Sequence, residues 1–296
     1  MNITKISYFA VIIVSFIHTQ VATSQKVLIV THVFNRPDFI KLHKKTFDAF
    51  LEDDYEYVVF NDASNKAMEK LIEKTCNKLG VKCIRVPQKI HNTDRNPSVL
   101  YADSLQYALD KLIKNYHGIV AMVEADMFLI RPLSITHYLQ EYDLIGCHQS
   151  RDGNSGQITY ILPALVFLNM KTAPNKHLID FRCGQIDGTQ TDTGGNMHHY
   201  FKNSPTLRYK LFDAISESRV PRDYRALQSL GFNDLCADFF LNLLPKGKYM
   251  FEFHADNHFL HYMSGTNWRG DKKTYLREKN TILHDFIKKS IKYYRK

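Results

Sequence analysis

The chain of 296 residues is poor in the features that mark several large protein classes. Its five cysteines match no zinc-binding spacing, which removes a zinc finger or ribbon from consideration. No Asn-x-Ser/Thr sequon with a permitted middle residue occurs after residue 24, which speaks against a heavily glycosylated product. Neither a Walker-type GxxxxGKS/T nor a GxGxxG is present, so no glycine-rich nest is on offer for phosphate. Internal repeats and low-complexity linkers are also missing, which favours one domain with elaborations. After residue 24 no apolar run approaches the roughly 20 residues that span a bilayer. Basic residues are not interleaved with a recognisable nucleic-acid-binding motif, so nucleic acid is not an expected partner.

What is present describes a globular chain with a sizeable core, 44% hydrophobic and 12% aromatic. Residues 1–24 stand apart. Lys5 precedes a mostly apolar run from Ile6 to Ile17, and Ala22-Thr23-Ser24 offers small residues for cleavage. A signal peptide is the expectation, with a short signal anchor as the alternative. The expected site is then the secretory-pathway lumen, the periplasm or the exterior, where five cysteines permit two disulfides. Cys76 and Cys83 are the best pair by proximity.

The net charge of +9 is uneven, because residues 269–296 hold ten Lys/Arg against three Asp/Glu. Ile282, Leu283, Phe286, Ile287, Ile291 and Tyr294 give this segment an apolar helical stripe. It reads as a basic amphipathic helix that caps the domain, or as one attracted to an anionic membrane surface or polyanionic substrate.

From Lys26 onward, short apolar runs alternate with amphipathic patterns, which predicts an α/β fold with a mostly parallel sheet flanked by helices. Strands are predicted at Lys26 to Phe34, Tyr57 to Phe60, Lys82 to Val86 and Gly118 to Val123. Helices are predicted at Phe39 to Leu51, Lys66 to Leu79 and about Pro97 to Tyr116, and Gly80 supplies a helix stop. Beyond Pro132 the pattern is less regular. Strands are expected at Tyr142 to Cys147, Leu162 to Leu168 and as a pair within Phe251 to Tyr262. Helical patterns are expected at Leu207 to Ser216 and Asp234 to Leu244.

The most informative stretch is Gly118 to Leu133, GIVAMVEADMFLIRPL. An apolar strand delivers Glu124 and Asp126 to its C-terminal end. Carboxylates near a core need a partner, because an unpaired charge there is expensive or neutralises itself. A divalent cation such as Mg2+ or Mn2+ meets that need, since hard ions prefer carboxylate oxygen. In open parallel sheets ligands sit beyond the C-terminal strand ends. Thr31 to Asn35, Asp62 and the acid pair all follow strands at that edge, where one nucleotide could touch them all.

A strand ending in acid-x-acid and followed by Phe-Leu-x-Arg-Pro-Leu resembles the DxD element of GT-A-fold glycosyltransferases. The resemblance covers most of Lys26 to Trp268, within an expected domain at 25–268. VTHVFNRPDFI and VVFNDAS look like that family's nucleotide-binding loops. Pro163 to Asn169 is similar to its strand beside the donor sugar, and HYMSGTNW to its late histidine loop. The resemblance implies a GT-A-like, Rossmann-like mixed sheet and transfer of sugar from a nucleotide-diphosphate sugar to a glycan, protein or lipid acceptor. It implies Asp126 as a direct ligand of Mn2+ or Mg2+, Glu124 at the ribose or at the metal through water, and His261 as the last protein ligand. Thr31, Asn35, Asp62 and Asn169 would line the donor site.

Two departures stand out. Glu124 replaces the usual first aspartate, and Asn267 occupies a position where a lysine is often found, leaving Arg269, Lys272 or Lys273 as substitutes. If the transfer inverts configuration, a carboxylate must take the acceptor proton. Asp192, in the glycine-rich TDTGG loop, is the first candidate, and Asp234 and Asp238 are the second. Retention of configuration would need no such base. Other readings are nucleotidyl transfer to a sugar phosphate, whose Gly/Arg-rich first loop is absent, and a non-catalytic carbohydrate-binding or interaction protein on the same scaffold.

Overall fold

The structure is a computed structural model that describes residues 26–90, 96–244, 248–265 and 273–295. The expected signal segment, Trp268, Arg269 and Lys272 lie outside the described residues. The first half alternates strand and helix: β1 (Val27–Val33), α1 (Pro37–Phe50), β2 (Tyr55–Asn61), α2 (Lys66–Leu79), β3 (Lys82–Arg85), α3 (Pro97–Lys111) and β4 (Ile119–Val123). Each helix begins where its sequence says it should. Pro37 and Pro97 open α1 and α3, while the Asn65 and Asn96 side chains accept from the Met68 and Ser98 amides. Gly80 ends α2 at φ 65°, a left-handed turn that glycine adopts without a Cβ clash.

The second half contains β5 (Met127–Leu129), α4 (Ile135–Leu139), β6 (Leu144–Asp152), β7 (Gln157–Asn169), β8 (Gln185–Ile186), β9 (Thr189–Gln190), α5 (Met197–Lys202) and β10 (Tyr209–Phe212). It continues with β11 (Ile215–Ser216), α6 (Tyr224–Ser229), α7 (Asp234–Asp238, continued by a π-turn over Phe239–Leu243), β12 (Phe251–His254), β13 (Phe259–Tyr262) and α8 (Lys273–Tyr294). A seven-stranded sheet runs β10-β6-β7-β4-β1-β2-β3. β1 is parallel to β2 and β4, β2 to β3, and β10 to β6, whereas β7 is antiparallel to both β4 and β6. The expected α/β fold with a mixed, mostly parallel sheet is therefore present.

A second sheet, β11-β12-β13-β5, stands beside the first. Apolar clusters cover both faces of the large sheet. Val27, Ile29 and Val33 of β1 point into one cluster, and Leu28 and Val30 into the other.

Two expectations are corrected. The stretch from Leu207 to Ser216 is not helical: it forms β10 and β11. Asp143 holds the Arg208 amide at 3.0 Å and its guanidinium at 2.7 Å, which launches the chain alongside β6. Sheet pairing thus overrides a locally helical pattern. Cys76 and Cys83 meet across α2 and β3 as hydrogen-bonded thiols, and all five cysteines are free. The apolar stripe of α8 is spent inside the fold, where Leu283, Phe286, Ile287 and Ile291 are buried and Phe286 stacks on Phe239 at 3.8 Å. No helix among the described residues is long and apolar enough to cross a membrane.

Candidate metal and donor site

The site begins with the parallel strands. β1, β2 and β4 point their C-terminal ends to one edge, so Asn35, Asp62 and Glu124 leave the sheet together. Asn35 takes a left-handed conformation (φ 54°) and exchanges hydrogen bonds with Ser64 (2.8 and 3.1 Å), which ties the first loop to the second. Asp62 is buried, and its amide donates to the Val33 carbonyl at 3.0 Å. The Glu124 amide donates to the Ala164 carbonyl of β7 at 2.8 Å, which fixes where the acid pair turns out of the sheet.

The second sheet closes the site. Immediately after Asp126 the chain becomes β5, which pairs antiparallel with β13, so that His261 faces Met127. The Tyr262 amide donates to the Asp126 carbonyl at 2.7 Å. This register brings His261 Nε2 to 3.5 Å from Asp126 Oδ1 and 3.8 Å from Glu124 Oε2. The turn after β13 returns over Asp126, and the Gly265 amide donates to Asp126 Oδ2 at 2.7 Å. Only glycine fits there, because a Cβ would stand 2.6 Å from the Asp126 Cβ. Arg36 donates to the Gly265 carbonyl, and Lys279 of α8 donates to the Met263 carbonyl at 2.6 Å. The turn is thus held from two sides.

Electrostatics follow from this crowding of acids. Burial opposes charge on His261, but the hydrogen bond and charge of Asp126, with Glu252 and Glu124 behind, push the imidazole up to about 10. Burial and the charge of Asp126 raise Glu124 to about 8. Asp126 is itself buried, yet His261 and the Gly265 amide hold it below the usual carboxylate range. Without a cation, then, positive charge comes from a proton on His261. Asp126 Oδ1 is buried and accepts no hydrogen bond of good geometry. Glu124, Asp126 and His261 place one possible ligand atom each within 4.8 Å of one another. An orphaned carboxylate oxygen, a second carboxylate and an imidazole suit Mn2+ or Mg2+, so the residues fit the cation that the sequence implies.

Three further residues face this edge that the sequence had not singled out. Tyr101 of α3 is raised well above its usual range by burial first and then by the charges of Glu124, Asp126 and Asp62. His32 stacks on Phe60 (5.2 Å), meets Tyr101 edge-on (6.1 Å) and donates through Nε2 to the Ser104 carbonyl at 3.0 Å. Burial lowers it to about 4 against the opposing charge of Asp62. Glu252 of β12 lies behind His261. The hairpin could have revealed it: FEFH and FLHY flank a four-residue turn, which pairs position 252 with 261.

One expected donor-site residue is displaced from this edge. Asn169 lies opposite Ile119, at the start of β4, because β7 runs antiparallel to β4; Leu165 and Ala164 are the residues beside the acid pair. Thr31 is fully buried and faces the same side of the sheet as Ile29 and Val33, while its neighbour His32 faces Tyr101. Asp192 does sit on a tight loop. Gly194 (φ 86°) packs so closely on the Ile161 carbonyl and Pro163 that a Cβ would collide, which places the loop next to the strand segment beside Glu124. Asp192 caps the Thr193 amide at 2.8 Å and pairs loosely with Arg151 at 3.9 Å. Asp234 and Asp238 serve α6 and α7 instead, accepting from Tyr224 and from Asn242. His198 and His199 belong to no ligand cluster among the described residues.

No protein-family model and no curated protein sequence matches the chain. Among solved structures, the galactosyltransferase LgtC in complex with donor and acceptor sugar analogues is similar over 86% of this chain and 96% of its own, at 13% identity and a TM-score of 0.42. The glycosyltransferase GlyE of Streptococcus pneumoniae TIGR4 is similar over 90% of this chain and 64% of its own, at 13% identity and a TM-score of 0.40. The bifunctional glycosyltransferase WbbM is similar over 51% of this chain, at 11% identity and a TM-score of 0.33, and the chain spans 32% of that protein's length.

Proposed function

We propose that the chain transfers a sugar from a nucleotide-diphosphate sugar to an acceptor hydroxyl, with Mn2+ or Mg2+ held by Asp126, Glu124 and His261. The observation that carries this reading is the meeting of those three side chains, two from the turn between β4 and β5 and one from β13, at the edge where the strands before Asn35 and Asp62 also end. When bound, the cation supplies positive charge against the diphosphate leaving group.

The rest is work for the chain's own residues. Asp62 and Tyr101 line the nucleotide side of the edge, and the Asn35–Ser64 bridge keeps its two loops together. In an inverting transfer the anomeric C–O bond to the diphosphate breaks with its electron pair leaving on phosphate oxygen. The acceptor oxygen forms the new C–O bond, and its proton passes to Asp192. The Asp192 carboxylate is partly exposed on the loop beside Ile161 and Pro163, which suits a base that meets an incoming acceptor.

A panel of nucleotide sugars tests the reading by donor hydrolysis with Mn2+, alongside thermal shift with Mn2+ plus UDP or GDP. At least one donor should be hydrolysed, and Asp126→Ala should slow that reaction on the order of 100-fold or more. No hydrolysis and no stabilisation by either nucleotide would sink the transferase reading in favour of a non-catalytic carbohydrate-binding protein.

A further inference from the structure

A second carboxylate stands on the far side of His261. Glu252 is its partner across the β12–β13 ladder, and Glu252 Oε2 lies 3.4 Å from His261 Nδ1. The same oxygen lies 3.4 Å from Nε2 of His254, whose ring is fully buried and meets that of His261 edge-on at 5.3 Å. Glu252 and His254 share one side of β12, two residues apart, so the strand's own period brings both to His261.

An imidazole carries its two nitrogens in fixed opposition. A hydrogen bond at one nitrogen therefore decides where the other points and which of them keeps a proton. Here Nδ1 faces Glu252, while Nε2 faces Asp126 and Glu124. The possible ligand atoms divide accordingly. Glu124 and Asp126 form one cluster, Glu252 and His254 form another, and among the described residues His261 alone belongs to both. Glu252 is thus separated from the cation side by the thickness of the ring.

Resting on the metal-site reading above, we propose that Glu252 is a positioning residue: it accepts the Nδ1–H of His261 and so presents Nε2 to the cation, while His254 steadies the Glu252 carboxylate. The arrangement is a carboxylate–histidine–metal line, in which the outer carboxylate orients the ligand and raises its basicity. His254 is buried beside the outer carboxylate, with its Nε2 3.4 Å from Glu252 Oε2.

Two readouts test this, one of which needs no metal. In metal-free protein with 15N-labelled histidine, His261 should show a downfield, slowly exchanging Nδ1–H resonance, assigned by its loss in His261→Gln. Glu252→Ala should remove that resonance. Glu252→Gln, nearly isosteric and still able to accept through its amide oxygen, should keep it in a folded protein. Titration with Mn2+ alone, followed by electron paramagnetic resonance, should then show affinity weakened roughly 10- to 100-fold in Glu252→Ala and less in Glu252→Gln. An unchanged Nδ1–H signal, or Mn2+ affinity within about twofold of wild type in a folded Glu252→Ala, overturns the proposal. Two Mn2+ ions per chain, one of them lost with Glu252, overturns it also, because Glu252 would then be a ligand. A Glu252-dependent Nδ1–H signal in a wild-type protein that binds no Mn2+ supports the hydrogen bond and overturns the metal reading instead.

Discussion

In the parallel part of the large sheet, β1, β2 and β4 run side by side, and Asn35, Asp62 and Glu124 each follow a strand end by one or two residues. In the small antiparallel sheet, His261 and Glu252 lie inside strands and reach the site through pairing with β5 and with each other. One histidine departs from the rest. His32 of β1 and His43 of α1 are lowered to about 4 by burial, and burial also lowers His254 and His258 of the small sheet and its hairpin turn, whereas His261 is raised to about 10 because Asp126, Glu252 and Glu124 outweigh its burial. Burial alone keeps an imidazole neutral in either region, and only the acids around His261 reverse it. Two side chains of one type, each buried, are thus told apart by the charges around them.

The sharpest way to break this contrast is at the seam between the two regions. Gly265 crosses over Asp126 with no space for a side chain. Gly265→Ala should force the Asp126 carboxylate aside, weakening Mn2+ binding about tenfold or more and costing about 1–3 kcal/mol of stability from overpacking. Mn2+ titration and urea unfolding measure the two effects. A variant with wild-type Mn2+ affinity would show that the turn does not set the Asp126 position.

A smaller effect sharpens the contrast between the histidines. Burial lowers His32 and His43 to about 4 from the ordinary imidazole value of 6.5. Between these values the unfolded chain binds protons that the folded chain refuses. Their contribution to stability is therefore complete above about pH 6.5 and is lost as pH falls toward 4, at about 2–3 kcal/mol for each group. Urea midpoints measured from pH 7 down to 4.5 should fall accordingly. His43→Phe should flatten that fall even if it lowers stability at pH 7, since its hydrogen bond to Tyr57 is lost. An unchanged slope would mean that His43 titrates alike in both states.

The same contrast explains what could be read from the sequence. Strand ends, helix caps and the acid pair of GIVAMVEAD are local signals, so the parallel half and Glu124, Asp126 and Asp62 were legible. His261 was legible only through the resemblance of its loop, since nothing local says that β13 will pair with Met127 to Leu129. Asn169 was misplaced because strand direction is not a local property: β7 reads the same whether parallel or antiparallel, yet the antiparallel choice sends its last residue to the far end of β4. Alternation along β1 turns Thr31 and His32 to opposite faces of the sheet, which the resemblance of the loop alone did not distinguish. Tyr101 gave no signal at all, because a tyrosine within a helical pattern is as consistent with core as with a site.

A single cation held jointly by the Glu124–Asp126 turn and by His261 of the second sheet is tested most directly by equilibrium Mn2+ titration of wild type and His261→Ala. One Mn2+ per wild-type chain is expected, with binding weakened at least about tenfold when His261 is removed, because Glu124 and Asp126 alone leave the set short of a ligand. Mn2+ bound equally well by His261→Ala would contradict it, by showing that the second sheet contributes nothing to the site.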